Sequence, residues 1–417
     1  MASTYLSRTM GTPTSRKKFT ISVWVKKSKS GSSNAQHIWN GYYSTDNRLV
    51  IYFQASGEDT LGLYNVTGGS ATAFILTNRK FRDTNGWYHI YYAVDTTQST
   101  ASDRIKLYIN GVQETSLSQN TYPSQNADLG YANGYTNFIG KYGGDTSSQF
   151  DGAMSHFYYV DGSVIDIAQF GSTDSTTGEW KINTSPTISS YGTNGFLILK
   201  DGNTITDQSP NSNNFTVGAG TLTKTEDNPS NVFATLNPLD NYFAASTFSN
   251  GNNTITSGTT PNTWNTATLG VSSGKWYWET ELDAESSGGS ALFGIADRPT
   301  DSATRELGDL ATTYAYLSSG NFRTNNSNTS NGVSATVGDI IGIALDLDNN
   351  QISYYKNGTI IGSAQSITAP SSTLNGVYFP AWGDWLDPGT VTFKCNFGNG
   401  YFGTTAVSSA GTNASNN

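Results

Sequence analysis

Cysteine is almost absent from this sequence: Cys395 is the one thiol in 417 residues. A single cysteine excludes a disulfide framework and any metal site made of several thiolates. Val391, Phe393 and Phe397 alternate with Cys395 along the segment VTFKCNF. Because successive side chains of a strand point to opposite faces, this alternation predicts that Cys395 is buried in a strand.

Charge is also scarce, since 13% of the residues are charged and the net charge is −9. Nucleic-acid recognition needs lysine and arginine clustered over one face, so we expect no nucleic acid among the partners. Residues 1–30 are the exception, because they contain basic but no acidic side chains. A solvated arm and a segment that docks on an acidic neighbour are both compatible with this cluster. Its members are Arg8, Arg16, Lys17, Lys18, Lys26, Lys27 and Lys29.

Long apolar runs are missing as well. The segment MASTYLSRTMGT lacks the apolar core of a signal peptide, and no run approaches the ~18 apolar residues that a membrane helix needs. We therefore expect a protein that is made in the cytoplasm without a signal peptide and does not insert into a membrane.

Helix formers are too sparse for a helical bundle, whereas aromatic residues make up 12% of the chain. Short strand patterns separated by Gly, Asn, Asp and Ser occur in two runs, at residues 19–160 and 263–397. Such a pattern is typical of sandwiches and barrels. The sequence therefore predicts an all-β protein of two antiparallel β-sandwiches in tandem. Asn110-Gly111 and Asn357-Gly358 each follow a strand pair and predict two-residue hairpin turns.

Two strand patterns predict which side chains are buried. In FTISVWV, Phe19, Ile21, Val23 and Val25 alternate with Thr20, Ser22 and Trp24, which predicts a half-buried strand. In GKWYWETEL, the same period places the acids and Tyr277 on the outward face. The expected buried residues of the second strand are Trp276, Trp278 and Leu282.

Three groups of segments resemble known families. The first group resembles a laminin-G-like, concanavalin-type domain and consists of YLSRTMGTPTSRKKFTISVWVKKS, GWYHIYYAVD, IKLYINGVQE and FDGAMSHFYYVDG. SGKWYWETEL, GDIIGIALDLDNNQISYYKNGTIIG and YFPAW resemble a SPRY domain. The third group is similar to the stretch that joins these modules in tail and fibre proteins of bacteriophages, marine ones especially. It consists of FGSTDSTTGEWK, YGTNGFLILKDG, DQSPNSNNFTV and NPSNVFATLNPLDN.

The resemblance implies a fold, a domain layout and a function. Both sandwiches are expected to be concanavalin A-like, or jelly-roll, with the layout 1–162 laminin-G-like, 163–240 connector, 241–403 SPRY-like and 404–417 polar C-terminal tail. NGFLILK and NNFTVGAG predict short strands, so we expect part of the connector to pack on the first domain.

The implied function is that of a non-enzymatic virion protein, a tail fibre, adhesin or exposed decoration that binds host-surface glycan or another virion protein. The implied location is the virion, and we expect a homo-oligomer. The alternative is a purely structural head or tail spacer.

Glu281, Asp283 and Glu285 match the E-x-D-x-E strand signature of concanavalin-fold β-glucanases. On one strand face the Cα atoms of Glu281 and Glu285 would lie about 6.6 to 6.8 Å apart, compatible with retaining hydrolysis. The alternative is an acidic strand edge beside a loop, which we favour. A virion glycanase is therefore the third functional hypothesis.

Tyr378, Trp382, Asp384 and Trp385 form a candidate glycan site, because aromatic faces stack on sugar rings and an acid accepts hydroxyl hydrogen bonds. We expect Trp382 and Trp385 in or next to a loop. The competing interpretation places one indole in the core, and both can hold with one indole in and one out.

No cofactor is expected. Asp346, Asp348 and Asn350 resemble the start of a calcium loop, but Gln351 and Asn357 replace the required Gly and Glu. We expect an Asp/Asn turn there, while loop-bound calcium built from separated Asp and Asn residues stays open. His37, His89 and His156 lack neighbouring catalytic or metal partners in the sequence and are expected to be structural.

Overall fold

The computed structural model is all-β, with 2% helix and 47% strand in antiparallel sheets, as the sequence predicts. The chain divides into two compact units, Met1–Val232 and Phe233–Asn417. In the part of the chain that is described, helix is confined to three single turns of 3₁₀ helix, at Ala101–Asp103, Ile167–Gln169 and Pro370–Ser372. The structure describes residues 4–129, 131–200, 205–243, 246–258, 263–286, 290–302, 304–385 and 389–408.

The described residues of unit 1 contain sixteen strands. They are β1 (Tyr5–Thr9), β2 (Lys18–Lys27), β3 (Gln36–Ser44), β4 (Asn47–Phe53), β5 (Thr60–Thr67), β6 (Ser70–Lys80), β7 (Tyr88–Asp95), β8 (Ile105–Ile109), β9 (Val112–Gln113), β10 (Leu117–Thr121), β11 (Thr136–Ile139), β12 (Gly152–Asp161), β13 (Gly171–Thr173), β14 (Trp180–Ile182), β15 (Phe196–Ile198) and β16 (Thr216–Ala219).

Two large sheets enclose the core of unit 1. One has the strand order β10-β6-β5-β4-β3-β11-β1-β16, and the other β15-β12-β2-β7-β8-β9. Alternate side chains such as Phe19, Ile51 and Leu63 are fully buried between them. This is the arrangement that period-two alternation predicts for a sandwich.

The connector segment after β12 covers the outer face of the six-stranded sheet. Phe170 packs on Tyr91 and Tyr158, with ring centroids 5.7 and 5.2 Å apart. Thr20, Ser22 and Trp24 on β2 are therefore buried too, at 0%, 1% and 4% exposure. The prediction that FTISVWV forms a half-buried strand was wrong, because this segment lies in β2, which is covered on both faces.

The basic N-terminal segment is not a charged arm. Lys26 pairs with Asp227 at 2.8 Å and Lys27 with Asp59 at 2.6 Å, and all four side chains are at least nine-tenths buried. Lys18 likewise pairs with Asp95 at 3.1 Å. Both interpretations of the cluster, as a solvated arm and as a docking segment, are corrected for Lys26 and Lys27, because buried acids of unit 1 neutralise them.

In unit 2, fifteen strands occur in the part of the chain that is described. They are β17 (Thr247–Ser249), β18 (Thr254–Thr256), β19 (Thr263–Thr266), β20 (Lys275–Glu285), β21 (Ala291–Ala296), β22 (Thr313–Leu317), β23 (Asn321–Thr324), β24 (Ser327–Ser330), β25 (Ile340–Asp346), β26 (Gln351–Lys356), β27 (Thr359–Ser366), β28 (Phe379–Asp384), β29 (Val391–Asn396), β30 (Tyr401–Phe402) and β31 (Thr405–Ala406).

Unit 2 is a second sandwich, with the sheets β17-β18-β29-β20-β25-β26-β27 and β19-β28-β21-β22-β23-β24. Trp278 and Leu282 are buried at 4% and 0% exposure, as predicted, and so is Cys395. Trp276 is 49% exposed, so its predicted burial was wrong. Trp276 lies near the first residue of β20, where its indole Nε1 donates to the Ser273 carbonyl at 2.8 Å.

Strands β13 to β16 of unit 1 lie in the expected connector, and β15 and β16 are the two short strands expected there. They pair with β12 and β1. The boundary between the units falls after Val232, within the expected connector of 163–240. Of the expected tail, Thr405–Ala406 pairs with Tyr401–Phe402, and residues 409–417 lie outside the described residues.

The two predicted hairpin turns are confirmed. Asn110 and Gly111 have φ values of 48° and 78°, and Asn357 and Gly358 have values of 48° and 79°. Positive φ at both central positions is the geometry that Asn-Gly favours between paired strands. In the described residues no helix has the length and apolar character needed to cross a membrane.

Candidate functional site

The acids of the glucanase-like motif are engaged in structural contacts. Lys394 on the neighbouring strand β29 places its Nζ 2.5 Å from Asp283 and 3.8 Å from Glu281. One lysine therefore lies within ion-pair distance of both carboxylates on this part of the strand. A nucleophilic carboxylate in that position would be held by a fixed cation.

Glu285 is separated from Glu281 by a bulge between Leu282 and Ala284, whose extra residue is Asp283. Its Oε1 accepts hydrogen bonds from the backbone N–H of Ser290 and Ala291, each at 2.9 Å, and from the Ser318 hydroxyl at 2.6 Å. The carboxylate thus fixes the backbone where β21 begins. The expected single face of three acids is not formed, because the bulge interrupts the alternation.

Three residues of the expected glycan site are buried. Trp382 lies in strand β28 at 1% exposure, and its Nε1 donates to the Thr280 hydroxyl at 3.0 Å. Tyr378 is fully buried, and its hydroxyl donates to the Thr368 carbonyl at 2.8 Å. The position of Trp382 in or beside a loop is therefore corrected, because β28 is an internal strand between β19 and β21.

Asp384 and Trp385 end this strand. Asp384 is 4% exposed and accepts a hydrogen bond from the Ser257 hydroxyl at 3.0 Å. The half-buried Trp385 ring lies 5.2 Å from the Arg323 guanidinium carbon. Arg323 also pairs with Glu306 at 3.0 Å, and burial raises the pKa of that carboxyl to about 7. Trp385 is thus the outer layer of a packed cluster.

The turn at Asp346 follows the expected Asp/Asn pattern. The Asp346 carboxylate accepts from the backbone N–H groups of Asp348 and Asn349, at 3.1 and 3.0 Å, and pairs with Lys275 at 3.1 Å. Among the described residues, no group of three or more His, Cys, Asp or Glu is arranged to hold a metal ion.

The strongest candidate for a binding surface lies on the outer side of the eight-stranded sheet of unit 1. Half-buried aromatic rings occupy outward positions on successive strands and on the loop after β11. We call this set the aromatic face. It consists of Tyr5, Tyr42, Tyr52, Tyr64, Phe74, Phe138 and Tyr142.

Strand register brings these rings together. Phe138 pairs with Asn40, Asn40 with Val50, Val50 with Tyr64, and Tyr64 with Phe74, so these residues form one row across β11, β3, β4, β5 and β6. Four inter-strand spacings make this row about 19 Å wide. A width of this size fits an extended ligand better than a single small molecule.

A stack of three rings organises the centre of the aromatic face. His37 lies between Tyr52 and Tyr142, with ring centroids 5.2 and 4.8 Å away and interplanar angles of 15° and 26°. Burial lowers the pKa of His37 to about 4 and raises the pKa of Tyr52 to about 12. His37 and Tyr52 are therefore neutral at pH 7, and the buried His37 ring packs between the half-buried rings of Tyr52 and Tyr142.

Two cations border the rings. The Arg48 guanidinium carbon lies 5.6 Å from the Tyr64 ring, and Lys141 Nζ lies 4.6 Å from Tyr5 and 5.7 Å from Phe138. Arg48 also exerts a positive potential on His37, Tyr52 and Tyr142. The combination of flat rings and fixed cations is suited to stacking and hydrogen bonding at the same surface.

The aromatic face is not among the sites that the sequence predicts. Its signal is visible in RLVIYFQ, where Leu49, Ile51 and Phe53 point to the core while Arg48 and Tyr52 occupy the opposite face. An aromatic residue on the outward side of a half-exposed strand is a binding signal only when neighbouring strands repeat it. That repetition depends on register, which the pattern of one strand does not give.

Comparison with family models agrees with the two sandwiches. Residues 2–165 match the concanavalin A-like lectin/glucanases superfamily, and residues 275–397 match the SPRY domain. The chain carries a concanavalin A-like domain followed by a SPRY domain. The first match includes all seven rings of the aromatic face, and the second includes Glu281, Trp382 and Lys394.

Solved structures show similarity to parts of the chain. The SPRY domain of human HERC1 is 20% identical, over 39% of this chain and 98% of that chain, with a TM-score of 0.32. The heptameric SAP-like pentraxin of Limulus polyphemus is 16% identical, over 44% of this chain and 86% of that chain, with a TM-score of 0.30. A search of curated proteins gives no match.

Proposed function

We propose that this chain is a non-enzymatic structural protein of a bacteriophage virion, a tail-fibre adhesin or exposed decoration, that binds host-surface glycan through the aromatic face. The observation that carries the binding proposal is that Phe138, Tyr64 and Phe74 lie in one outward row about 19 Å wide, with Asn40 and Val50 between them. Aromatic rings stack on the apolar faces of sugars. The order of a concanavalin A-like domain, a connector and a SPRY domain supports the virion part, because phage tail and fibre proteins resemble it.

Binding is favoured over hydrolysis by the state of the acids. Lys394 holds Glu281 and Asp283, and backbone N–H groups hold Glu285. Retaining hydrolysis needs two carboxyl groups facing one bond, with about 5 to 5.5 Å between them, and one of them protonated. In this proposal the SPRY domain and the connector contact other virion proteins and further copies of the chain.

The binding part is tested with the purified full-length chain and polysaccharide extracted from the surface of the host in which the phage replicates. We expect saturable binding in biolayer interferometry, and at least tenfold weaker binding, about 1.4 kcal/mol, for the double variant Tyr52→Ala, Tyr64→Ala. Tyr277→Ala is the control, because Tyr277 is a 53% exposed tyrosine of unit 2. The proposal would be contradicted if the parent protein did not bind, or if the double variant and the Tyr277→Ala control bound equally well.

The virion part has its own test. Mass spectrometry of purified particles should detect this chain, and antibody-gold labelling should place unit 1 on the outer surface. Particles that lack the chain would contradict the virion assignment whatever the binding result.

A further inference from the structure

The two cations of the aromatic face differ from the buried lysines of the same unit. Lys26 and Lys27 each have a carboxylate within 2.8 Å. Arg48 and Lys141 are half-buried, and neither forms an ion pair with a carboxylate in the part of the chain that is described. Their charges lie on aromatic rings instead, although the chain as a whole carries a net charge of −9.

An acid that acts on this surface is already engaged. Asp145 lies in the loop after β11 and acts electrostatically on His37. Its Oδ1 accepts from the backbone N–H groups of Ser147 and Ser148 at 3.0 and 2.8 Å, and its Oδ2 accepts from the Ser148 hydroxyl at 2.7 Å. These bonds hold the Asp145 carboxylate in its own turn, so that it does not pair with either cation.

We propose that the glycan bound at the aromatic face is anionic and that Arg48 and Lys141 bind its carboxylate or sulfate groups. A guanidinium offers paired N–H donors that match the oxygens of either group. Each cation lies against the rings on which a sugar stacks, so an acidic substituent at the edge of a stacked sugar reaches it. This inference rests on the proposed function and adds the chemical class of the ligand.

The placement of the cations favours a polymer with repeated charges. Arg48 is the second residue of β4 and lies on its outward face. Lys141 follows β11, which lies two strands away from β4 in the sheet. Two inter-strand spacings correspond to about 10 Å across the sheet. One sugar ring does not span that distance together with both sets of rings, whereas a chain with acidic groups on successive or alternate residues does.

The test compares three forms of the same host-surface polysaccharide: native, carboxyl-reduced and solvolytically desulfated. We expect native polysaccharide to bind at least tenfold more tightly than one or both of the modified forms, and the form that loses affinity identifies the anion. Binding should weaken as sodium chloride is raised from 0.05 to about 0.5 M, because salt screens exposed charges. The double variant Arg48→Gln, Lys141→Gln should bind all three forms equally, at the affinity that the parent protein has for the form that lost binding.

The matched control is Arg82→Gln, Lys224→Gln, which removes one arginine and one lysine from exposed positions of the same unit. It should keep the preference for native polysaccharide. Equal binding of all three forms by the parent protein would overturn the anionic assignment and leave the glycan proposal standing. An equal loss in the control variant would also overturn it, since net charge would then explain the preference. If the parent protein binds none of the forms, the proposed function itself fails.

Discussion

The Trp180 indole donates its Nε1–H to Nδ1 of His89 at 3.0 Å, and the two ring planes lie 12° apart. Trp180 lies in β14, which forms a hairpin with β13 in the connector, and His89 lies in the six-stranded sheet, 91 residues earlier. An indole N–H can only donate, so Nδ1 of His89 is the acceptor and Nε2 carries the proton that bonds to the Ser22 hydroxyl at 2.8 Å. The connector therefore selects the tautomer of a histidine in the sandwich.

Removing this contact should destabilise unit 1. In Trp180→Phe the ring can still stack, but buried Nδ1 of His89 loses its donor, which costs about 1–3 kcal/mol. Urea unfolding of the full chain, followed by near-UV circular dichroism, measures the change. Trp276→Phe is a suitable control, since that indole is half exposed and bonds to a carbonyl in its own turn. Equal stability of the parent protein and Trp180→Phe would contradict a structural role for the hairpin.

His89 should make the protein sensitive to acid. Burial lowers the pKa of His89 to about 3, whereas an unfolded histidine has a pKa of about 6.5. Its contribution to stability is complete above pH 6.5 and is lost as the pH falls towards 3, because only the unfolded state takes up the proton. The expected slope is about 1.4 kcal/mol per pH unit, or roughly 2 kcal/mol between pH 7 and pH 5.

The corresponding experiment compares the parent protein with His89→Gln in urea at pH 7 and pH 5. The variant should be less stable at pH 7 and should lose less stability on acidification. His37, whose pKa is lowered to about 4 by burial, remains in both proteins and contributes equally to both. An unchanged pH dependence in His89→Gln would show that this site is not the titrating group.

Substitutions of Glu281 and Glu285 in β20 should differ in their effect on the free energy of unfolding. Glu281→Gln removes a partly exposed partner 3.8 Å from Lys394, so we expect a change of about 1 kcal/mol or less. Glu285→Ala leaves the N–H groups of Ser290 and Ala291 without their acceptor and should cost about 1–3 kcal/mol. Reducing-end assays on host polysaccharide should detect no release by either variant or by the parent protein. Release by the parent that Glu281→Gln abolishes would establish the glycanase alternative.

The two tryptophans at the start of β20 should differ in their effect on stability. Trp278 is 4% exposed and faces the core, so Trp278→Ala should cost about 3–5 kcal/mol through the cavity it leaves. Trp276→Ala should cost much less, because that ring is 49% exposed. Thermal unfolding of both variants provides the comparison, and similar costs would contradict the burial seen here.

Local features of this protein follow from its sequence alone. Alternation gives the buried side chains in the middle of β20, Trp278 and Leu282, because neighbouring side chains of any strand face opposite ways. Asn110-Gly111 and Asn357-Gly358 give their turns, because asparagine and glycine tolerate positive φ. The all-β class and the two successive sandwiches are sums of such local signals.

Tertiary structure decided the burial and pairing of the residues that carry charge or bind. Lys26 is neutralised by Asp227, 201 residues later, and Trp382 is buried because it packs in the core of unit 2 against Thr280 of the opposite sheet. The aromatic face exists because five strands align in one register, and Glu285 leaves the other acids because a bulge shifts it. A strand pattern specifies which side chains share a face. Which strand, lysine or connector then lies against that face depends on contacts between residues that are far apart in the chain.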